Sequence, residues 1–340
     1  MKELWDSDLL YKILRLQVDF CTRHSYRKIV TEGSLPTDGG AVIYAPNHTN
    51  TLMDALLVLQ ERKEGTAFGA RADVFRKPKI ASFLRRLKIV PLARRDRDRP
   101  EELARNKPVM EYIDRILEHE VPFCIFSEGR HRTMHSLLPI RRGIAHIAFV
   151  SAAQRPTRIV PIGLDYSDWF HYRSCVRIKI GEPIDVNAFV KEHEGCSDSE
   201  RDAALQQELY KQISSLIFFI PDDEHYEERL AEAQASVPKR NKFLRVLQAV
   251  LSFPLFLICA VLALPMWAIA EYICKHKIKD PAFRNTARFA VKLVGTPIFF
   301  ILWAVALFLL LPWWLAAILL LLFLISYSVF YDWINLVAGR

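Results

Sequence analysis

The chain has 340 residues, 51% of them hydrophobic and 25% charged, and a formal net charge of +8. That length admits one large domain or two small ones, and the basic balance suits an anionic lipid leaflet or anionic substrates. Six cysteines scattered without a C-x-x-C pair exclude a disulfide framework and a zinc site, and point to a reducing compartment.

Residues 1–25 set Leu4, Trp5, Leu9, Ile13, Leu16 and Phe20 among charges, which predicts an amphipathic amino-terminal helix. Such a helix either packs on the domain or lies on lipid. With acidic residues and no apolar h-region there, no cleavable signal peptide is expected. Residues 26–222 alternate between strand-like and helical runs. Strands are expected at 26–32, 41–45, 66–71, 88–92, 122–127, 158–165 and 175–181, and helices at 52–60, 79–87, 105–119, 140–153 and 199–219. The alternation predicts an α/β fold, a mostly parallel sheet flanked by helices, with ligands bound beyond the carboxyl ends of the strands.

Residues 223–245 read as a charged connector, and 246–340 as an all-α membrane region. The stretch 246–270 carries no charge and contains Pro254 and Pro265. Both its flanks are basic: Lys239, Arg240, Lys242 and Arg245 before, Lys275, Lys277, Lys279, Arg284 and Arg288 after. Positive charge stays on the cytoplasmic side, so a re-entrant or interfacial helical hairpin is expected in preference to a span. The uncharged stretch 293–331 is nearly twice the roughly 20 residues that cross a bilayer, which predicts a transmembrane hairpin. Its reversal is expected at Pro312-Trp313-Trp314, since indoles settle at the interface. These segments argue for an integral membrane protein and against nucleic acid as the partner of the basic charge.

The chemistry-bearing residues fall at predicted strand ends. After 41–45 comes Pro46-Asn47-His48, with Asp54 at the start of the next helix. A spacing of six does not align two side chains on a helix, so the chain must bend between them. The pair is either a structural contact or a base held in one tautomer. After 88–92 comes the run Arg94–Arg99, with Arg94 nearest the strand end as a phosphate ligand. After 122–127 comes Glu128-Gly129-Arg130-His131-Arg132, where Glu128 either orients a hydroxyl-bearing substrate or pairs with an arginine. Arg141 and Arg142 precede Gly143 at a helix start, where guanidinium groups and backbone donors favour phosphate.

In order, Pro46-Asn47-His48-x5-Asp54, Val90-Pro91-Leu92-Ala93-Arg94, Phe126-Ser127-Glu128-Gly129, Leu137-Leu138-Pro139-Ile140-Arg141-Arg142-Gly143 and Ile159-Val160-Pro161-Ile162-Gly163-Leu164 resemble the glycerophosphate acyltransferase superfamily. The five residues between His and Asp resemble its fungal-type glycerol-3-phosphate/dihydroxyacetone-phosphate branch. The resemblance implies His48 as general base and Asp54 as its orienting partner. It also implies that Glu128 and Gly129 seat the acceptor, and that Arg94 with Arg130 or Arg132, and secondarily Arg141, hold phosphate. The chain departs from the family pattern at Ser127 and at Arg130-His131-Arg132, which leaves open which arginine takes the phosphate-binding place.

The implied reaction is transfer of a fatty acyl group from acyl-CoA or acyl carrier protein to glycerol 3-phosphate, dihydroxyacetone phosphate or lysophosphatidate, with no cofactor or metal. The catalytic domain is expected on the cytoplasmic face, in a bacterial inner membrane in preference to a eukaryotic endomembrane. Rival readings are an acyltransferase for another lysolipid or aminolipid, an acyl-thioester hydrolase, and a non-catalytic lipid-binding protein.

Overall fold

The computed structural model describes residues 3, 5, 6, 9–36, 39–93, 100, 103, 106–236 and 241–339. The amino-terminal helix is α1 (Leu9–Arg23). An alternating region follows: β1 (Lys28–Glu32), β2 (Ala41–Pro46), α2 (Leu52–Gln60), β3 (Ala67–Arg71), α3 (Pro78–Arg86), β4 (Ile89–Leu92), α4 (Asn106–Glu118), β5 (Phe123–Cys124) and α5 (Gly143–Ala152). It closes with β6 (Thr157–Tyr166), β7 (Cys175–Ile180), β8 (Ile184–Asp185), α6 (Val186–Glu192) and α7 (Asp198–Leu216). After α8 (Tyr226–Ser236) come three long apolar helices, α9 (Lys242–His276), α10 (Arg284–Leu310) and α11 (Trp313–Ala338).

The strands form one sheet in the order β1-β7-β6-β2-β5-β3-β4, with β8 beside β6. Pairing is parallel except where β6 meets β7 and β8. All of β2 is buried, as a strand covered on both faces must be. Its side chains alternate between two cores. Ala41, Ile43 and Ala45 face Ile113, Ile116, Ile144 and Leu205 from α4, α5 and α7. Val42 and Tyr44 face Met53 and Leu57 of α2, Cys21 of α1 and Phe289 of α10. One long apolar helix thus enters the core of the α/β domain.

Several boundaries differ from the sequence expectation. β5 has two residues rather than the run 122–127, and α5 starts at Gly143 rather than at 140, because residues 125–142 leave the sheet as loops. β8 and α6 are short and went unread. The stretch 246–270 is not a helical hairpin with its own turn: α9 is a single 35-residue helix running through both prolines. The reversal at Pro312 is as expected, with α10 ending at Leu310 and α11 starting at Trp313. Each of the three is long and apolar enough to cross a membrane.

The first turns of α10 and the last of α11 are tied to the α/β domain. Asn285 donates to the Trp169 carbonyl (2.6 Å), Arg173 pairs with Asp332 (2.6 Å), and Asn335 donates to the Tyr172 carbonyl (2.8 Å). Buried Lys292 donates to the His24 carbonyl (2.9 Å) and to Ser328 (3.3 Å). On α1 the apolar residues Leu9, Ile13 and Leu16 are exposed, so that face does not pack on the domain.

Candidate active site

The loop after β2 is held by its neighbours. The Asn47 amide exchanges hydrogen bonds with the backbone of Leu164 on β6, at 3.1 and 2.7 Å. His48 follows, and the chain then bends through Thr51, whose φ of 51° is a costly backbone state for a β-branched residue. That bend returns Asp54, in the first turn of α2, to His48. Nδ1 of His48 lies 2.8 Å from Asp54 Oδ2, and the same oxygen accepts the N–H groups of Thr49 (2.9 Å) and Asn50 (2.7 Å). Asp54 is fully buried, whereas the His48 side chain is 18% exposed.

Donation from Nδ1 to the carboxylate leaves the Nε2 lone pair as the basic site. The ring stacks on Phe126, 4.2 Å between centroids and 27° apart, which fixes its plane. His131 meets it edge-on at 5.8 Å. Burial and the His48 charge push His131 below the ordinary histidine range. Its Nε2 lies 3.7 Å from Asp280, and Phe283 packs edge-on against it at 5.1 Å. Both partners come from the connector between α9 and α10. Thr51 also meets Thr286 of α10, oxygen to oxygen at 2.8 Å.

Glu128 is held by backbone donors and not by an arginine among the described residues. Only 2% exposed, it accepts the His48 N–H on Oε1 (2.7 Å) and the Leu138 N–H on Oε2 (2.8 Å). It pairs with no arginine among the described residues. Instead it joins the His48 loop to the 137–141 loop, and the Arg132 N–H to His48 carbonyl bond (3.0 Å) adds a second tie. Burial pushes the Glu128 carboxyl up to about 7, against the opposing effect of those two donors. Gly129 turns the chain at φ +74°, a conformation that glycine adopts without strain, and donates to the Phe126 carbonyl (3.0 Å).

The arginines separate into committed and open ones. Arg132 is ion-paired with Asp222 and donates to Ser136 (2.7 Å). Arg130 and Arg141 are exposed, and no hydrogen bond or ion pair joins their guanidinium groups to the described residues. The Arg141 backbone is fixed to the Ser127 carbonyl (2.8 Å), so it leaves the loop adjoining Glu128. Arg142 reaches Ser199 at 3.3 Å. Arg94 and the run to Arg99 lie outside the described residues.

One residue of the site escaped sequence reading. Tyr166, fully enclosed at the end of β6, donates its hydroxyl to Asp54 Oδ1 at 2.6 Å, the single donor to that oxygen among the described residues. Desolvation and the neighbouring carboxylate drive its own ionisation well upward, so it stays a donor. The available signal was its place at the far end of a strand beside β2. Tyr166→Phe leaves Oδ1 bare and strengthens the carboxylate's pull on the imidazolium. The expected result is about tenfold slower turnover, the loss of one charge-assisted hydrogen bond, with the acid limb of the rate profile moved to higher pH. A pH–rate titration against wild type checks this, and an unmoved limb counts against the role.

A stacked imidazole with one nitrogen on a buried carboxylate, and the other without a hydrogen-bond partner among the described residues, has the geometry a general base needs at the carboxyl end of a parallel sheet. Residues 27–165 match the family model described as Acyltransferase, which contains His48, Asp54, Glu128 and Tyr44 to Cys124 of the central strands. Over these residues the α/β domain is similar to the Acyltransferase family. A stretch of 102 residues is 35% identical to glycerol-3-phosphate O-acyltransferase 2 of Saccharomyces cerevisiae, covering 29% of this chain and 13% of the yeast protein. The crystal structure of the 1-acyl-sn-glycerophosphate acyltransferase PlsC from Thermotoga maritima aligns at 21% identity and a TM-score of 0.43, over 60% of this chain and 79% of that one.

Proposed function

We propose that this protein is a membrane-held O-acyltransferase that moves a fatty acyl group from a thioester to a hydroxyl of glycerol 3-phosphate or a close relative, dihydroxyacetone phosphate or lysophosphatidate. The observation that carries the reading is the 2.8 Å contact between His48 and Asp54, with Nε2 meeting no hydrogen-bond partner among the described residues. Nε2 takes the proton of the acceptor hydroxyl as its oxygen attacks the thioester carbonyl. The tetrahedral intermediate collapses with cleavage of the C–S bond. The departing thiolate takes the proton back from the imidazolium, which Asp54 has stabilised meanwhile. A thiolate leaves readily, so the step needs no acyl-enzyme, and it runs alike from coenzyme A or acyl carrier protein.

Arg130 and Arg141 suit the acceptor phosphate because their guanidinium groups are open, whereas that of Arg132 is occupied. Glu128 acts in this reading by fixing the backbone of His48 rather than by touching substrate. Contact between the α9–α10 connector and His131 keeps the site beside the apolar helices, where a lipid product leaves without crossing water.

The test is acyl transfer by purified, lipid-reconstituted protein from labelled acyl-CoA, then acyl carrier protein, to each acceptor offered separately. Labelled lipid from a phosphorylated acceptor is expected, with Arg130→Ala and Arg141→Ala each raising its KM more than they lower kcat. Release of free fatty acid alone, or equal use of phosphate-free acceptors, would overturn the acceptor assignment.

A further inference from the structure

From the contacts of α9 we infer that this helix enters and leaves the bilayer through the same face, the one that carries the α/β domain. By length and hydropathy it is also able to cross the membrane. The reference frame is the α10–α11 hairpin. α10 starts on the α/β domain and its 27 residues extend about 40 Å, enough to cross a hydrocarbon core. α11 returns, and Ser328, Asp332 and Asn335 are bonded back to that domain directly or through Lys292. Residues 328–338 of α11, with Gly339 just beyond its end, therefore mark the catalytic face, and Pro312 the opposite end.

Both ends of α9 meet that same part of α11. In the first arm the Arg245 guanidinium packs against Gly339. Trp333 donates its indole N–H to the Ala249 carbonyl (3.2 Å), and Phe256 stacks on it at 3.9 Å. In the last arm Tyr331 donates to Glu271 (2.9 Å), which also pairs with Arg288 in the second turn of α10 (3.0 Å). Between the arms α9 goes deep: Trp303, about 28 Å along α10 from Arg284, donates to the Leu262 carbonyl at 3.2 Å.

Distances along the helices exclude a straight crossing. Arg245 and Glu271 are 26 residues apart, which in a straight helix is about 39 Å. Their partners Gly339 and Tyr331 are eight residues apart on α11, about 12 Å. The helix must therefore bend, and Pro254 and Pro265 supply the means, each removing a backbone donor inside it.

Charge agrees with this path. Lys242 and Arg245 flank one end and Lys275, Lys277 and Lys279 the other, so a bent helix keeps both clusters on one side. Val250, Leu251, Leu257, Ile258, Val261 and Leu264 are exposed along it and face the acyl chains. α9 is thus a wedge that returns to the face it entered, and its returning arm delivers Asp280 and Phe283 to His131 beside the base.

The experiment is cysteine accessibility in sealed proteoliposomes of zwitterionic and anionic phospholipid, using full-length protein. Exposed Cys196 is kept as the marker of the catalytic face and the other cysteines are replaced by serine. Lys242→Cys and Lys277→Cys are then read separately with a membrane-impermeant maleimide. Labelling of both from the side on which Cys196 reacts is the expected result. Labelling from opposite sides overturns the inference. Asn241→Cys and Lys279→Cys, also exposed, replace either variant that fails to fold. The readout is independent of acyl transfer, so it stands or falls apart from the proposed reaction.

Discussion

His48→Ala is expected to cut turnover by about 10²–10⁴-fold, the usual worth of general-base assistance, with little change in KM for either substrate. The reason lies in what the ring does and does not hold. Its side chain touches Asp54, Phe126 and His131, and none of them depends on the ring for its place in the fold. Asp54 keeps two backbone N–H donors and the Tyr166 hydroxyl, so the bend through Thr51 survives. A chemical defect without a folding defect follows. Steady-state transfer from labelled acyl thioester, run beside thermal unfolding, checks both halves. Wild-type turnover by the variant would remove His48 as the base and with it the proposed mechanism. By contrast, Asp54→Ala is expected to lose stability as well, because four donors then lack their acceptor.

Legibility from sequence followed the range of the interactions. The strand–bend–helix unit 41–60 was readable because its determinants are local: an apolar run, then a helix whose face is buried. The meeting of His48 and Asp54 followed from the same short segment. What went unread is made by partners far apart in the chain. Tyr166 reaches Asp54 across 112 residues, and Glu128 reaches the His48 N–H across 80. The second is harder still, because backbone donors leave no trace in residue identity. Arg132 looked as available as Arg130 until Asp222, 90 residues on, was placed against it. For α9 the basic flanks pointed to a one-sided path, but one continuous helix with internal prolines cannot be told from two helices joined by a turn by composition.

Glu128→Gln is expected to lower both stability and turnover. It separates two roles for this carboxylate: seating an acceptor hydroxyl or fixing the catalytic loop. Each Glu128 oxygen accepts one backbone N–H, from His48 and from Leu138. Glutamine has a single carbonyl oxygen, so its amide nitrogen must face one of those N–H groups, donor against donor. A buried mismatch of this kind costs about 1–3 kcal/mol. The His48 loop then shifts, and displacement of a base by an ångström is enough to lose about 10²-fold in rate. A protonated glutamate does not suffer the mismatch, because its hydroxyl oxygen still accepts.

That difference gives the prediction a pH signature. Glu128 lies at about 7 in the folded protein against 4.5 for the free side chain, so the fold prefers its protonated form. Its contribution is fully present below about 4.5 and falls away as pH rises through about 7, by an amount on the order of 3 kcal/mol. Wild type should therefore lose stability across this window, and Glu128→Gln, which has no proton to release there, should lack that slope. The gap between the two proteins is widest near pH 5 and narrows near pH 8. Denaturant unfolding at both pH values, with turnover measured on the same preparations, decides the matter. A variant that unfolds like wild type at both pH values but has a raised acceptor KM would make Glu128 a substrate ligand instead. Loss of stability with an unchanged acceptor KM is the outcome that a buried strut between two loops requires.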